Sequence, residues 1–178
     1  AHETRDIPII AANLHRLILP RQSQIWAVLH AGDSMQRLAY LLTGGMLGRL
    51  CLSGDIASLS EAQWALALEA VDFYRLAAPV IARGTSRLFQ HISPSWQYPQ
   101  GAQAVLRLAE DGQTALAVLH SFAAPHPPEI RVPLPGEGWQ AVRHFPASET
   151  PPPLEGNALV FRPAAEWTGS AVLLRQTA

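Results

Sequence analysis

At 178 residues, 48% of them apolar, the chain has the size and composition of a globular protein of one or two domains with a real core. Its net charge of -1 excludes recognition by bulk positive charge, so neither nucleic acid nor an acidic membrane is expected as a partner. All 13 basic residues are arginine, a bias that fits a GC-rich genome rather than a phosphate site.

The first residues, AHETRDIP, lack the charged-then-apolar plan of a signal peptide, and a cytoplasmic location is expected. They do not begin with methionine, which fits a removed upstream segment or a piece of a longer chain. Residues 23–30, SQIWAVLH, read as a short strand ended by Gly32 and Asp33. Asp33 or Ser34 then caps a helix whose Met35, Leu38 and Leu42 share a face, and Gly44 and Gly45 stop it.

The next stretch, GRLCLSGDIASLS over 48–60, is the most informative. An apolar run ends in a small-polar-acidic cluster, Ser53, Gly54 and Asp55, and a serine then opens a long helix. A buried parallel strand delivers polar groups to the mouth of a β/α barrel in this way. Within it Cys51, the sole cysteine, excludes an internal disulfide and reads as a buried, inert thiol. Ser60 and Gln63 form a capping box for a helix over 61–83, with Trp64, Leu68, Val71 and Ala78 on one stripe and Gly84 as its stop.

Residues 89–100, with Pro94 and Pro99, read as a linker. Beyond it the helical period gives way to short strands at 104–108, 114–120, 130–134, 139–145, 158–162 and 171–174. Asp111-Gly112 suits a tight hairpin turn, and proline clusters at 125–128 and 151–153 mark loops. Six such strands predict a small antiparallel sandwich. No stretch approaches the roughly 20 apolar residues of a membrane span.

A strand-helix-strand-helix piece followed by a β-sandwich invites a comparison. The segments NLHRLILPRQSQIWAVL (13–29), MLGRLCLSGDIASLSEAQW (46–64), FYRLAAPVIARGTSR (73–87) and PQGAQAVLRLAEDGQTALAVLHSF (99–122) carry it. In that order the chain resembles the C-terminal part of bacterial α-galactosidases of glycoside hydrolase family 36. The resemblance implies an α/β then all-β fold. Residues 1–88 would be the last two β/α units of a TIM barrel, strands seven and eight, and 101–178 an antiparallel β-sandwich. It also implies an α-galactoside as ligand of the complete barrel and the missing N-terminal part of that barrel as partner. A homo-oligomer is compatible with it, and no cofactor is implied.

A retaining glycosidase needs a nucleophilic and an acid/base carboxylate about 5 Å apart. The family's Lys-Trp-Asp type nucleophile motif is absent here, since the chain has no lysine and no Trp-Asp pair. No catalytic residue is therefore expected in this chain, and the isolated chain is expected to be inactive on an aryl α-galactoside. The remaining pocket candidates are Asp55, Ser53, His30 and Asp33, at the ends of the two barrel-type strands. Asp55 either meets a sugar hydroxyl or caps the turn into the helix. Trp26, on the strand itself, reads as a core or barrel-layer residue of the complete barrel rather than a sugar-stacking ring, and Trp96 and Tyr98 either stack on sugar or pack between domains.

Other chemistries find no support. Ser53 is not in a G-x-S-x-G elbow, and Gly44, Gly45 and Gly48 do not make G-x-G-x-x-G. His120 and His126 lack the spacing of a metal pair. The alternative to an enzyme fragment is a stand-alone carbohydrate-binding or structural β-sandwich. It would present a row of exposed aromatics, whereas Phe122, Trp139, Phe145, Phe161 and Trp167 mostly fall at core positions. Residues 101–178 are expected to be the more autonomous unit. Ile25, Trp26, Val28, Leu50 and Leu52 are expected to be left uncovered.

Overall fold

The computed structural model describes residues 5–93, 95 and 98–177. Helix α1 (Ile7–Leu14) precedes strand β1 (Gln24–Leu29), helix α2 (Met35–Gly45), strand β2 (Arg49–Gly54) and helix α3 (Glu61–Arg83). β1 and β2 pair in parallel, Gln24 opposite Arg49 through Leu29 opposite Gly54. Eight antiparallel strands follow: β3 (Thr85–Ser93), β4 (Gln100–Leu108), β5 (Thr114–Ser121), β6 (Ile130–Pro133), β7 (Trp139–Phe145), β8 (Leu154–Glu155), β9 (Ala158–Phe161) and β10 (Gly169–Gln176). They form a five-stranded sheet, β3-β4-β5-β10-β7, and a three-stranded sheet, β6-β9-β8. Antiparallel sheets thus dominate, with a few helices beside them.

The caps act as their residue types dictate. The Ser34 hydroxyl accepts from the Arg37 N–H at 3.2 Å and starts α2. Ser60 and Gln63 satisfy each other's backbone N–H groups at the start of α3. Gly44 and Gly45 do not stop α2. The helix runs through them, because the bare backbone lets Leu50 of β2 lie against Gly45 and Met46 becomes the C-cap. Gly169 serves the same end on β10, where an added Cβ would sit 3.0 Å from the Tyr40 Cα of α2.

Strand alternation divides the five-stranded sheet between two cores. Val105, Leu116, Val118, Phe145, Ala171 and Leu173 point toward the helices and share one core with Leu38, Leu42, Phe73 and Ile81. Ala104, Leu106, Ala117, Leu119, Val172 and Leu174 face the three-stranded sheet, closing on Ile130, Val132 and Leu159. Both faces of β5 are therefore buried.

Several expectations are corrected. The first five residues of the linker expected over 89–100 are strand: β3 runs through Ser93 and pairs along its length with β4. α1 and β8 were not foreseen. α1 starts with Pro8 in its first turn but has no side-chain cap at Asp6, so its signal in sequence is faint. α3 buries Leu66, Ala70, Phe73, Ala77 and Val80, and turns Trp64 and Leu68 outward. Of the expected stripe, Trp64 and Leu68 thus lie on the open face, and Val71 and Ala78 are half-buried. Met35, expected on the inner face of α2 with Leu38 and Leu42, is exposed. Cys51 is half-buried rather than buried. Among the five residues expected to lie bare, Ile25 is buried, and Leu50 and Leu52 pack on the helical core, whereas Trp26 remains 49% exposed.

Candidate functional site

The helices cover only one face of the β1–β2 pair. Ile25, Ala27 and Leu29 are buried against them, while Trp26, with Cys51 as its neighbour on β2, stands on the bare face. All four candidate residues lie at or just past the carboxyl end of this pair. Gly54 ends β2 with φ +94, a conformation only glycine adopts without strain, and its backbone lies tight against the Leu29 carbonyl. The chain then turns so that Asp55 and the segment after β1 stand side by side.

Asp55 does not cap the turn that follows it, because its side chain bonds no backbone N–H there. Its Oδ2 instead lies 2.9 Å from Nδ1 of His30. A carboxylate only accepts, so Nδ1 carries the proton and Nε2 is left for a ligand. Both side chains are open to solvent, 41% and 63% exposed. Asp33 is placed differently. Its Oδ2 accepts from the His30 N–H at 3.0 Å, and its Oδ1 from Nε of Arg37 at 2.8 Å, which commits the carboxylate to holding the loop. Gln63 pins the same loop, its amide donating to the carbonyls of Ala31 at 3.0 Å and Asp33 at 2.9 Å. Sequence reading found Gln63 only as half of a capping box. Its second role depends on a contact 30 residues away that no local pattern announces.

Ser53 is half-buried, beside Val28 in the register. Among the described residues no serine or cysteine bonds to His30, so the pair is not part of a nucleophilic triad. The arrangement offers hydrogen-bond acceptors and one open imidazole nitrogen at the rim of the sheet. That chemistry suits hydroxyl groups better than anions.

The other singled-out residues lie elsewhere. His120 is fully buried edge-on to Tyr40, with ring centroids 5.2 Å apart, and burial lowers its pKa to about 3. His126 reaches the Phe122 carbonyl at 2.8 Å. No cluster of three metal-ligating side chains occurs among the described residues. Phe122, Trp139, Phe145 and Phe161 are buried. Trp167 is half-buried with φ +56, and the Arg5 guanidinium lies over both its ring and that of Tyr98. Trp96 lies outside the described residues.

No family model matches the sequence, and no curated protein is significantly similar to it. Solved structures are. The galactosidase domain of the α-galactosidase-sucrose kinase AgaSK superposes with a TM-score of 0.71 at 12% identity, covering 99% of this chain and 25% of that one. The chain has the fold of the C-terminal part of an α-galactosidase. Two structures of a family 36 α-galactosidase, AgaA from Geobacillus stearothermophilus, agree. A variant with 1-deoxygalactonojirimycin gives a TM-score of 0.59 at 16% identity, and one with raffinose gives 0.60 at 15%. Each match covers 87% of this chain and 22% of the neighbour. The chain thus spans about a quarter of the length of these neighbours. No helix among the described residues is long and apolar enough to cross a membrane.

Proposed function

We propose that this chain is the C-terminal fragment of a glycoside hydrolase that cleaves terminal α-galactosides with retention. In this reading β1 and β2 are barrel strands seven and eight, and the β-domain from residue 101 is its accessory module, with β3 added at its edge. The observation that carries it is the half-covered parallel pair. Helices pack on one face of β1–β2, the other face is bare, and the polar residues collect at the carboxyl end, as in a wedge cut from a β/α barrel. A fold match over 99% of the chain to a quarter of an α-galactosidase domain supports the same reading.

In this reading the two catalytic carboxylates, about 5 Å apart in a retaining enzyme, come from the missing N-terminal part of the barrel. This chain supplies His30 and Asp55 at the rim of the sugar pocket, Ser53 beside them, and Asp33 as the residue that holds the loop. No cofactor takes part, and a bacterial, cytoplasmic setting belongs to the same proposal. The alternative, a stand-alone carbohydrate-binding or structural β-sandwich, has against it that the five-stranded sheet closes one whole face on the helices.

The test is to follow the reading frame upstream of Ala1 and express the extended chain. It should carry a Lys-Trp-Asp type motif and hydrolyse an aryl α-galactoside with retention, while the 178-residue chain alone stays at background. An extended chain that completes a barrel yet is inert on α-galactosides would sink the proposal. So would turnover by the short chain that is lost on Asp55→Ala.

A further inference from the structure

A cleft of about 670 Å³ opens between the start of α2 and the β-domain. Met35 and Gln36 line one side, the loop from Pro146 to Pro153 another, and residues of β9, the segment after it, Ser170 of β10 and Leu66 of α3 close the rest. It shares no lining residue with His30, Asp33, Ser53 or Asp55. Its volume is that of a small-molecule site, within the usual range of roughly 300 to 1,000 Å³.

The chemistry of its walls selects a ligand. Among the described residues the Glu149 carboxylate and the hydroxyls of Ser148, Thr150 and Ser170 have no protein hydrogen-bond partner. The apolar surroundings raise the pKa of Glu149 above the ordinary carboxylate range, against the pull of His144. The cation on the wall, Arg162, is paired through Nη2 with Glu129 at 3.1 Å and Glu155 at 2.8 Å, so its charge is already compensated. An unpaired carboxylate beside free hydroxyls binds vicinal hydroxyl groups, and the C–H surfaces of Pro151, Pro152 and Pro153 match the apolar face of a pyranose ring. A cationic ligand would want an open aromatic face, and Phe161 is only 7% exposed.

We propose that this cleft binds a short neutral oligosaccharide, with Glu149 as its anchor, as a second sugar site apart from the barrel-type strands. It does not depend on the proposed catalytic role, because every lining residue belongs to this chain.

Titration of the 178-residue chain with raffinose, and separately with spermidine, followed by calorimetry and by backbone amide shifts, tests it. Saturable raffinose binding with shifts at 146–153 and 160–170 is expected. Glu149→Ala should weaken it by about tenfold or more, the scale of a hydrogen bond to a charged group. Glu149→Gln, which keeps a carbonyl acceptor, should recover most of the affinity, and unchanged melting temperatures show that both variants fold. Absence of saturation, or binding indifferent to Glu149→Ala, overturns the proposal. Spermidine binding tighter than raffinose and lost in Glu149→Gln would make the cleft a cation site and overturn it too. So would raffinose binding abolished by Asp55→Ala instead, which would put the sugar at the barrel-type strands.

Discussion

The two faces of the five-stranded sheet are built on different principles. Toward the three-stranded sheet, Ala104, Leu106, Ala115, Ala117, Leu119, Val172 and Leu174 make an apolar surface that any complementary apolar surface would satisfy. Toward the helices, the same strands interrupt their apolar residues with Gln103, Arg107 and His120, all fully buried. Gln103 donates to the Pro8 carbonyl of α1 at 2.9 Å. Arg107 donates from Nε to the Ser86 hydroxyl at 3.0 Å and from Nη2 to the Leu47 carbonyl and to Nδ1 of His15. His15, neutral with its pKa lowered to about 4, passes the chain on from Nε2 to the Ser23 hydroxyl. Buried polar groups cost free energy unless their partners are in place. The helical face is therefore a specific interface, and the β-domain is completed by the helices rather than merely joined to them.

Removing the helices should break the molecule, which reverses the expectation that residues 101–178 stand alone. A chain starting at Gly84 would bare Val105, Leu116, Val118, Phe145 and Leu173 and strand Arg107 without His15 or Leu47. Each large side chain returned to water forfeits about 1.5–3 kcal/mol, so the total is comparable to the roughly 5–15 kcal/mol of a whole domain. The expected outcome is a chain without a cooperative melt. Limited proteolysis that leaves a protected fragment beginning near Gly101 would show that the helical face is dispensable.

Single substitutions sharpen the contrast. Arg107→Ala should cost about 3–5 kcal/mol, because it orphans a buried carbonyl and an imidazole nitrogen. Arg107→Met should cost clearly less, since an apolar side chain of similar length refills the site. Equal losses in chemical denaturation would mean that polar pairing alone, and not packing, sets the cost at this site.

Acid should act most strongly on the helical face. Both ring nitrogens of His120 are buried without a hydrogen-bond partner, the ring edge-on to Tyr40 of α2 and across from Gln103 on β4, and its pKa falls to about 3 from the unfolded 6.5. The folded state thus binds fewer protons than the unfolded state, so stability is lost as pH falls from about 6.5 toward 3. The loss is on the order of a few kcal/mol. His15, lowered to about 4, adds to it with the same sign. His120→Phe should flatten the slope of stability between pH 6 and 4, and a slope unchanged by that substitution would assign the acid sensitivity elsewhere.

What the sequence made legible follows the range of each signal. The capping box, the helix of 61–83, the two strands of the parallel pair and the Asp111-Gly112 turn depend on residues within a few positions of one another. Edge strand β3 carries no clean alternation, because both its faces are only partly covered, and flanking prolines made it resemble a linker. α3 is apolar around much of its circumference, so periodicity alone could not say which stripe is buried. At the candidate site, the clustering of polar residues after β1 and β2 was visible, but the division of labour was not. Asp55 pairs with His30 across 25 residues while Asp33 is consumed by its own loop, and only the fold decides between them.

The smallest expected effect lies on the bare face of β1–β2. Leu29 and Trp26 are three residues apart on one strand, yet Leu29 is fully buried and Trp26 is 49% exposed. Leu29→Ala should cost about 2–5 kcal/mol through the cavity it leaves. Trp26→Ser should change stability by less than about 1 kcal/mol, as surface substitutions do. Its effect should appear in association instead. An aromatic ring on an open apolar sheet favours self-contact, so the variant should bind less hydrophobic dye and elute later in size-exclusion chromatography at high concentration. A loss of several kcal/mol in Trp26→Ser would mean that this face is covered in solution by a second copy, and that what is bare in the single chain is an interface in use.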